Sequence, residues 1–242
     1  MNMIQYEQPD PITFYKHGYD ELRFDMSTLL DTFEQLETRT DLTWLTKYPG
    51  TVDLRPCPVS IYPELVKILS RLDIPNYIER SLNTSDCTLI HCQVRREIGQ
   101  GFQATQSYMP MHRDTYFTTN GIVGNCPPVH KLILYPLTKQ ERDTNVQSSR
   151  LRVIKGSHRM MFDRSDMDVS MITQLGKQAS TQIISGSDIS ALLFNTAMLH
   201  DVIPCRGSMR IIYSFATQMQ YETKYASDDV HRLAHAKYEA LR

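Results

Sequence analysis

The sequence of 242 residues contains no apolar run near the ~20 residues needed to cross a bilayer. It also has no surplus of either charge: 26 Lys+Arg stand against 27 Asp+Glu, a formal net charge of -1. A general nucleic-acid binder or an anionic-membrane binder would need a basic excess, so neither is expected as a partner. The amino terminus, Met1 to Glu7, has neither a basic region nor an apolar core of signal-peptide type, and a cytoplasmic location is expected. The cysteines are few, odd in number and scattered (Cys57, Cys87, Cys92, Cys126, Cys205), without a CxxC pair. That pattern argues against a disulfide framework and a structural zinc site and fits a reducing compartment, with Cys87 and Cys92 expected in the core. There is no internal repeat and no low-complexity segment.

What is present reads as helices first and strands afterwards. Residues 11–26 suggest a short helix, a break at Gly18 and a strand around 21–24. Ser27 is placed to cap a helix carrying Leu29, Leu30, Phe33 and Leu36 at helical spacing. Trp44 and Leu45 are expected to anchor a loop, and prolines 49, 56, 58 and 63 punctuate a connector. Pro63 suits the first turn of a helix over 64–72, and a second short helix spans 76–82. From Cys87 the period changes to two. Thr88–Glu97 predicts a long strand with Leu89, His91, Gln93, Arg95 and Glu97 on a polar face and Ile90, Cys92 and Val94 on a core face.

Further strands are expected over 103–111, 131–137, 151–154, 183–184, 189–194 and 209–218, and a terminal helix follows Tyr225. Turn signals mark Asn120-Gly121 and residues 124–128. Residues 138–149 read as a loop and 160–180 as a lid or helical excursion. Loops over a site are expected at 115–129 and 138–149. Together these predict one mainly β domain with flanking helices: a helical buttress over 1–85, a jelly-roll core over 86–220 and a C-terminal helix over 221–242.

The chemistry concentrates in Met109-Pro110-Met111-His112-Arg113-Asp114-Thr115-Tyr116-Phe117. A histidine and an aspartate two apart on extended backbone point to one side, where an imidazole and a carboxylate can grip one metal ion. With 8 His in 242 residues, chance alone supplies about 0.6 His-x-Asp pairs, so the pair gains weight only from its company. A third ligand is available in His200, followed ten residues on by Arg210 among apolar neighbours. Two histidines and one carboxylate, with the remaining positions open, suit non-haem Fe(II).

In order along the chain, His112-Arg113-Asp114, Leu151-Arg152-Val153-Ile154-Lys155-Gly156-Ser157-His158-Arg159, His200 after the Gly186-Ser187-Asp188 turn, and Arg210 resemble the Fe(II)- and 2-oxoglutarate-dependent oxygenases. Within them the Leu-x-Val-x-x-Gly-Ser-His run is similar to the phytanoyl-CoA dioxygenase-like branch, and so is the opening Phe14-Tyr15-Lys16-His17-Gly18-Tyr19. The resemblance spans residues 14–218. It implies a double-stranded β-helix of jelly-roll or cupin type, with His112, Asp114 and His200 as iron ligands and Arg210 on the distal carboxylate of 2-oxoglutarate. Gln93 lies where the family contacts the near carboxylate or the substrate. Arg95, on the same face, and Phe117 are the candidate substrate contacts. His158 is expected to be structural.

The implied cofactors are Fe(II), 2-oxoglutarate and O2. The implied reaction is hydroxylation of a small metabolite, of the kind met in natural-product biosynthesis, or a related desaturation or ring closure. Halide-installing relatives lack the carboxylate that Asp114 retains. This chain departs from the family in the serine inside the Gly186-Ser187-Asp188 turn, in Asp201 after the distal histidine, and in Ile212 where some relatives carry serine. Two other readings stand beside it: a cupin-like Zn or Mn isomerase or hydrolase holding its ion with the same three residues, and a non-catalytic jelly-roll binding module in which His112 and Asp114 are incidental.

Overall fold

The computed structural model describes residues 11–23, 25–48, 50–54, 59–98, 111–118, 121–124, 130–136, 150–159, 181–185, 190–203 and 207–240. The expected strand over 103–110, the loop 138–149, the segment 160–180, the Gly186-Ser187-Asp188 turn and Cys57, Cys126 and Cys205 lie outside them. Helix α1 (Pro11–His17) ends at Gly18, whose φ of 87° lets the chain turn directly into β1 (Tyr19–Leu22). A 3-10 turn over Ser27–Leu29 leads into α2 (Leu30–Thr38). Ser27 does not cap this helix. Its own N–H is taken by Asp25 Oδ1 at 2.8 Å, which holds the residue in the preceding turn.

A hairpin, β2 (Leu45–Tyr48) and β3 (Thr51–Leu54), occupies the stretch expected as loop, with Leu45 exposed rather than anchoring. Trp44 does pack against the core, beneath the Arg96 guanidinium. Helices α3 (Tyr62–Arg71) and α4 (Ile74–Leu82) follow, each with proline in its first turn, where the missing N–H costs nothing.

The strands β4 (Thr88–Glu97), β5 (Thr115–Thr118), β6 (Gly121–Gly124), β7 (His130–Leu134), β8 (Arg150–Ile154), β9 (Thr181–Ser185), β10 (Ala191–Asn195), β11 (His200–Ile203) and β12 (Met209–Ala216) complete the β framework. A large antiparallel sheet has the order β1-β10-β7-β12-β4-β3-β2, a smaller one β11-β8-β9, and β5-β6 form a separate hairpin. After a capping-box turn at Thr217, α5 (Asp229–Glu239) packs on β4. No helix among the described residues is long and apolar enough to cross a membrane.

Two apolar layers follow from strand alternation. The outer face of the large sheet (Leu132, Leu134, Ile211, Tyr213, Phe215) joins α2–α5 in one core, which includes Cys87 and Cys92 as buried thiols. The inner face (Tyr19, Ile133, Tyr135, Leu192, Phe194, Ile212) packs against Leu151 and Val153 of the small sheet. The expected faces of β4 are corrected at one point. A register shift between Ser214 and Phe215 makes Ile90 a bulge, so Leu89 joins Cys92 and Val94 in the outer core while Ile90 packs with Tyr221. Gln93, Arg95 and Glu97 keep the inner face, while the His91 ring meets His231 of α5 at 5.9 Å between centroids.

Candidate metal centre

His112 emerges beside β11. Its backbone exchanges two hydrogen bonds with His200, each 2.9 Å, so the first ligand segment extends the small sheet by one bridge. The Asp114 N–H donates to Thr196 O at 3.0 Å and fixes the next turn of the chain. Arg113, between the two, is buried and points away, donating from Nη2 to Ser157 O at 2.6 Å; desolvation pushes its pKa down to about 10. Ser157 is also the acceptor for Leu199 N–H, through Oγ at 2.9 Å. One buried serine in the Gly-Ser-His turn therefore holds both the residue between His112 and Asp114 and the residue before His200.

The three side chains converge. Their ligating atoms all lie within 4.8 Å of one another. Asp114 Oδ1 is 3.6 Å from His112 Nε2, and Oδ2 is 3.6 Å from His200 Nε2. The Nδ1 of His200 lies 2.9 Å from Met198 O, and a carbonyl accepts only from N–H, so this contact places the proton on Nδ1 and the lone pair on Nε2, toward Asp114. Phe194 packs edge-on against the same ring at 5.0 Å between centroids. Burial holds His200 down at about 4, against the opposing pull of Asp114, so at neutral pH it is the uncharged imidazole a metal requires. Burial pushes the Asp114 carboxyl up, but Lys131, His112 and His200 together outweigh it and hold the group well below its usual range.

The inner face of β12, β4 and β3 also carries a largely buried ionic cluster. Arg210 on β12 faces Arg95 on β4, which faces Asp53 on β3. Arg95 grips Asp53 through Nε and Nη2 at 2.6 and 2.7 Å, and Gln93 Nε2 donates to the same carboxylate at 2.8 Å. Arg210, 2% exposed, pairs with Glu97, 1% exposed, whose other oxygen accepts from Thr51 Oγ1 at 3.0 Å. Gln93, Arg95 and Arg210 thus share one inner face, as the alternation implied, and each meets an acidic partner there. The side chain of Phe117 lies outside the described residues; its backbone belongs to β5. His158 serves the turn, with Nε2 2.8 Å from Tyr15 O. Asp201, next to His200, is buried and is clamped by Arg152 across the strand pair.

Three residues of this interior were not legible as functional from sequence. Asp53 fell in a presumed connector, and Glu97 was one polar residue among several. Lys131 stood at the head of an apolar strand, yet its Nζ donates to Asp114 Oδ2 at 2.5 Å. The one available signal was inner-face parity with Ile133.

No protein-family model matches the chain, and no curated protein matches it in sequence. Similarity comes through three-dimensional structure. HygX from Streptomyces hygroscopicus, solved with nickel, 2-oxoglutarate and hygromycin B bound, is 15% identical, with a TM-score of 0.55 over 85% of this chain and 85% of its own. The non-heme alpha ketoglutarate dependent epimerase SnoN from nogalamycin biosynthesis is 9% identical, with a TM-score of 0.54 over 86% of this chain and 81% of its own. The non-heme alpha ketoglutarate dependent carbocyclase SnoK, from the same biosynthesis, is 11% identical, with a TM-score of 0.56 over 85% and 81%. At such identities the likeness is one of fold, and the fold of this chain is the double-stranded β-helix these enzymes share.

Proposed function

We propose that the chain is a non-haem Fe(II)- and 2-oxoglutarate-dependent oxygenase that oxidises a C–H bond of a small-molecule metabolite. The observation that carries this is the convergence of His112, Asp114 and His200 on one point, with Arg210 deeper on the same inner surface. Two imidazole nitrogens and one carboxylate on a single face are the donor set that suits Fe(II) and leaves positions for further ligands. The structural neighbours support the same reading, since HygX was solved with nickel and 2-oxoglutarate bound, and with hygromycin B as its small molecule.

The residues divide the work. His112, Asp114 and His200 would hold the ion. Arg210 would receive the distal carboxylate of the 2-oxo acid; a guanidinium carries five N–H donors and can serve two carboxylates, so Glu97 leaves that role available to it. Iron, 2-oxoglutarate and O2 bound there would supply the oxidising power. Ser157 and Met198 O would keep the ligands from rotating, and Phe194 with Ile133 and Ile212 would exclude water from the inner wall. We assign hydroxylation as the outcome, because Asp114 fills the place a halide would need. Desaturation, ring closure or epimerisation on the same scaffold would follow from how the substrate sits. The closer likeness to the phytanoyl-CoA dioxygenase branch is inferred from the motifs alone.

The test is an anaerobic Fe(II) titration with and without 2-oxoglutarate, in wild type and Arg210→Ala. A visible charge-transfer band that needs iron and the 2-oxo acid together, and weakens in the variant, is the expected result. Absence of that band with tight Zn(II) binding instead would move the assignment to a redox-inert metal enzyme.

A further inference from the structure

Lys131 is the one cation among the described residues that touches the ligand triad. It lies on the inner face of β7, between Phe194 of β10 and Ser214 of β12 in register. Its ammonium is 2.5 Å from Asp114 Oδ2, and that same oxygen is 3.6 Å from His200 Nε2. A metal ion held by the triad would draw on the same carboxylate that Lys131 already holds, whose Oδ1 lies toward His112 and Oδ2 toward His200. Exposure also separates this lysine from the deep arginine: Lys131 is 24% exposed and Asp114 18%, against 2% for Arg210. Lys131 and Asp114 are therefore the less enclosed part of the site, and Arg210 the more enclosed.

Building on the metal-centre reading, we infer that Lys131 is the centre's built-in counter-cation and, once a divalent ion binds, its carboxylate anchor. Without metal the ammonium neutralises Asp114 and holds the carboxylate in ligating position. A divalent ion on that carboxylate competes for its negative charge and repels the ammonium at short range. Lysine can yield, because its charge rides on a flexible four-carbon stem. The displaced ammonium, still beside the metal and partly desolvated, then takes a carboxylate bound on the less enclosed side. That carboxylate has two possible sources: the metal-chelating end of the 2-oxo acid, or an acidic group of the substrate.

The test uses Mn(II) as the probe, read by the loss of free-ion magnetic resonance signal, in wild type, Lys131→Met and Lys131→Arg. With no carboxylate present, Lys131→Met should bind Mn(II) about tenfold tighter or more, and Lys131→Arg should stay near wild type, since only the charge opposes the ion. Equal or weaker binding by Lys131→Met overturns the counter-cation. Calorimetry on the Mn-loaded proteins then reads the anchor. About tenfold weaker 2-oxoglutarate binding in Lys131→Met, retained by Lys131→Arg, assigns the co-substrate end. Unchanged 2-oxoglutarate binding with weakened acetate binding to the ternary complex assigns the substrate side. Loss of neither overturns the anchor. A wild-type chain that binds no Mn(II) would instead overturn the metal centre itself, so failure of the two readings can be told apart.

Discussion

Replacing Ser157 by alanine tests whether the Gly-Ser-His turn organises the metal ligands or merely closes a loop. The serine is fully buried, and its Oγ is the acceptor for Leu199 N–H at 2.9 Å. Alanine removes that acceptor without adding volume, and so leaves a backbone donor unsatisfied in a dry site. The cost is about 1–3 kcal/mol. For a chain of this length that corresponds to roughly 2–10 °C in thermal midpoint. The Ser157 carbonyl still holds Arg113, so the His112–Asp114 segment stays tethered while the backbone entering His200 is loosened. Partners that orient a metal's ligands contribute roughly 10- to 100-fold to metal affinity. Mn(II) titration and thermal melting of Ser157→Ala beside wild type separate the two roles. A midpoint lowered as expected, with Mn(II) affinity within twofold of wild type, would refute the claim that Ser157 positions His200.

Acid should destabilise the metal-free protein in a defined window. His200 is held near pKa 4 in the fold and returns to about 6.5 on unfolding, so the unfolded chain binds the extra proton between those values. Stability contributed by the neutral ring is fully present above about pH 6.5 and is lost as the pH falls toward 4; denaturant unfolding from pH 7.5 to 4.5 should flatten in that range for His200→Leu. Saturating Mn(II) should hold stability up further into acid, because the ion binds only the deprotonated ring. At Gly18, alanine must adopt a φ of 87°, and its Cβ would lie 2.4 Å from His158 Nδ1 and 2.7 Å from Met198 Sδ. Gly18→Ala should therefore lose about 2 kcal/mol or more on denaturant unfolding. It should also weaken Mn(II) binding, since Met198 O orients His200; a stability loss under 0.5 kcal/mol would show that the turn yields freely.

The convergence of His112, Asp114 and His200 could be anticipated from sequence because metal chemistry restricts residue types and strand geometry restricts spacing: His112 and Asp114 lie two apart, and strands bring His200 alongside them. The strands of the core were legible where an alternating or apolar extended run stood out, as in Thr88–Glu97, Arg150–Ile154 and Met209–Ala216. The hairpin of Leu45–Tyr48 and Thr51–Leu54 was hidden because two four-residue strands flanked by prolines carry too little periodicity. The bulge at Ile90 was hidden for a different reason, since only pairing with Ser214 and Phe215 reveals it. The ionic partners were the least legible. Arg210 and Glu97 are 113 residues apart, and Arg95 and Asp53 are 42 apart, so nothing local announces either pair.

Those partners change how the interior should be understood. Among the described residues, the inner surface carries Arg95, Arg210 and Lys131 paired with Asp53, Glu97 and Asp114, three formal charges of each sign. A divalent ion alone would add two positive charges to a poorly solvated space, and a dicarboxylate alone two negative ones; both are strongly disfavoured without compensation. A divalent ion and a dicarboxylate together add nothing net. For the ligands proposed above, this charge balance would favour joint binding over either singly, and thermodynamic reciprocity would require that each strengthen the other to the same degree. That coupling would come from residues outside the ligand triad. On the proposed function this would give Glu97 and Asp53 a role beyond the iron ligands: by pairing one buried and one half-buried arginine they would keep the barrel from trapping anions indiscriminately, so that a dicarboxylate would be held tightly only with the metal present.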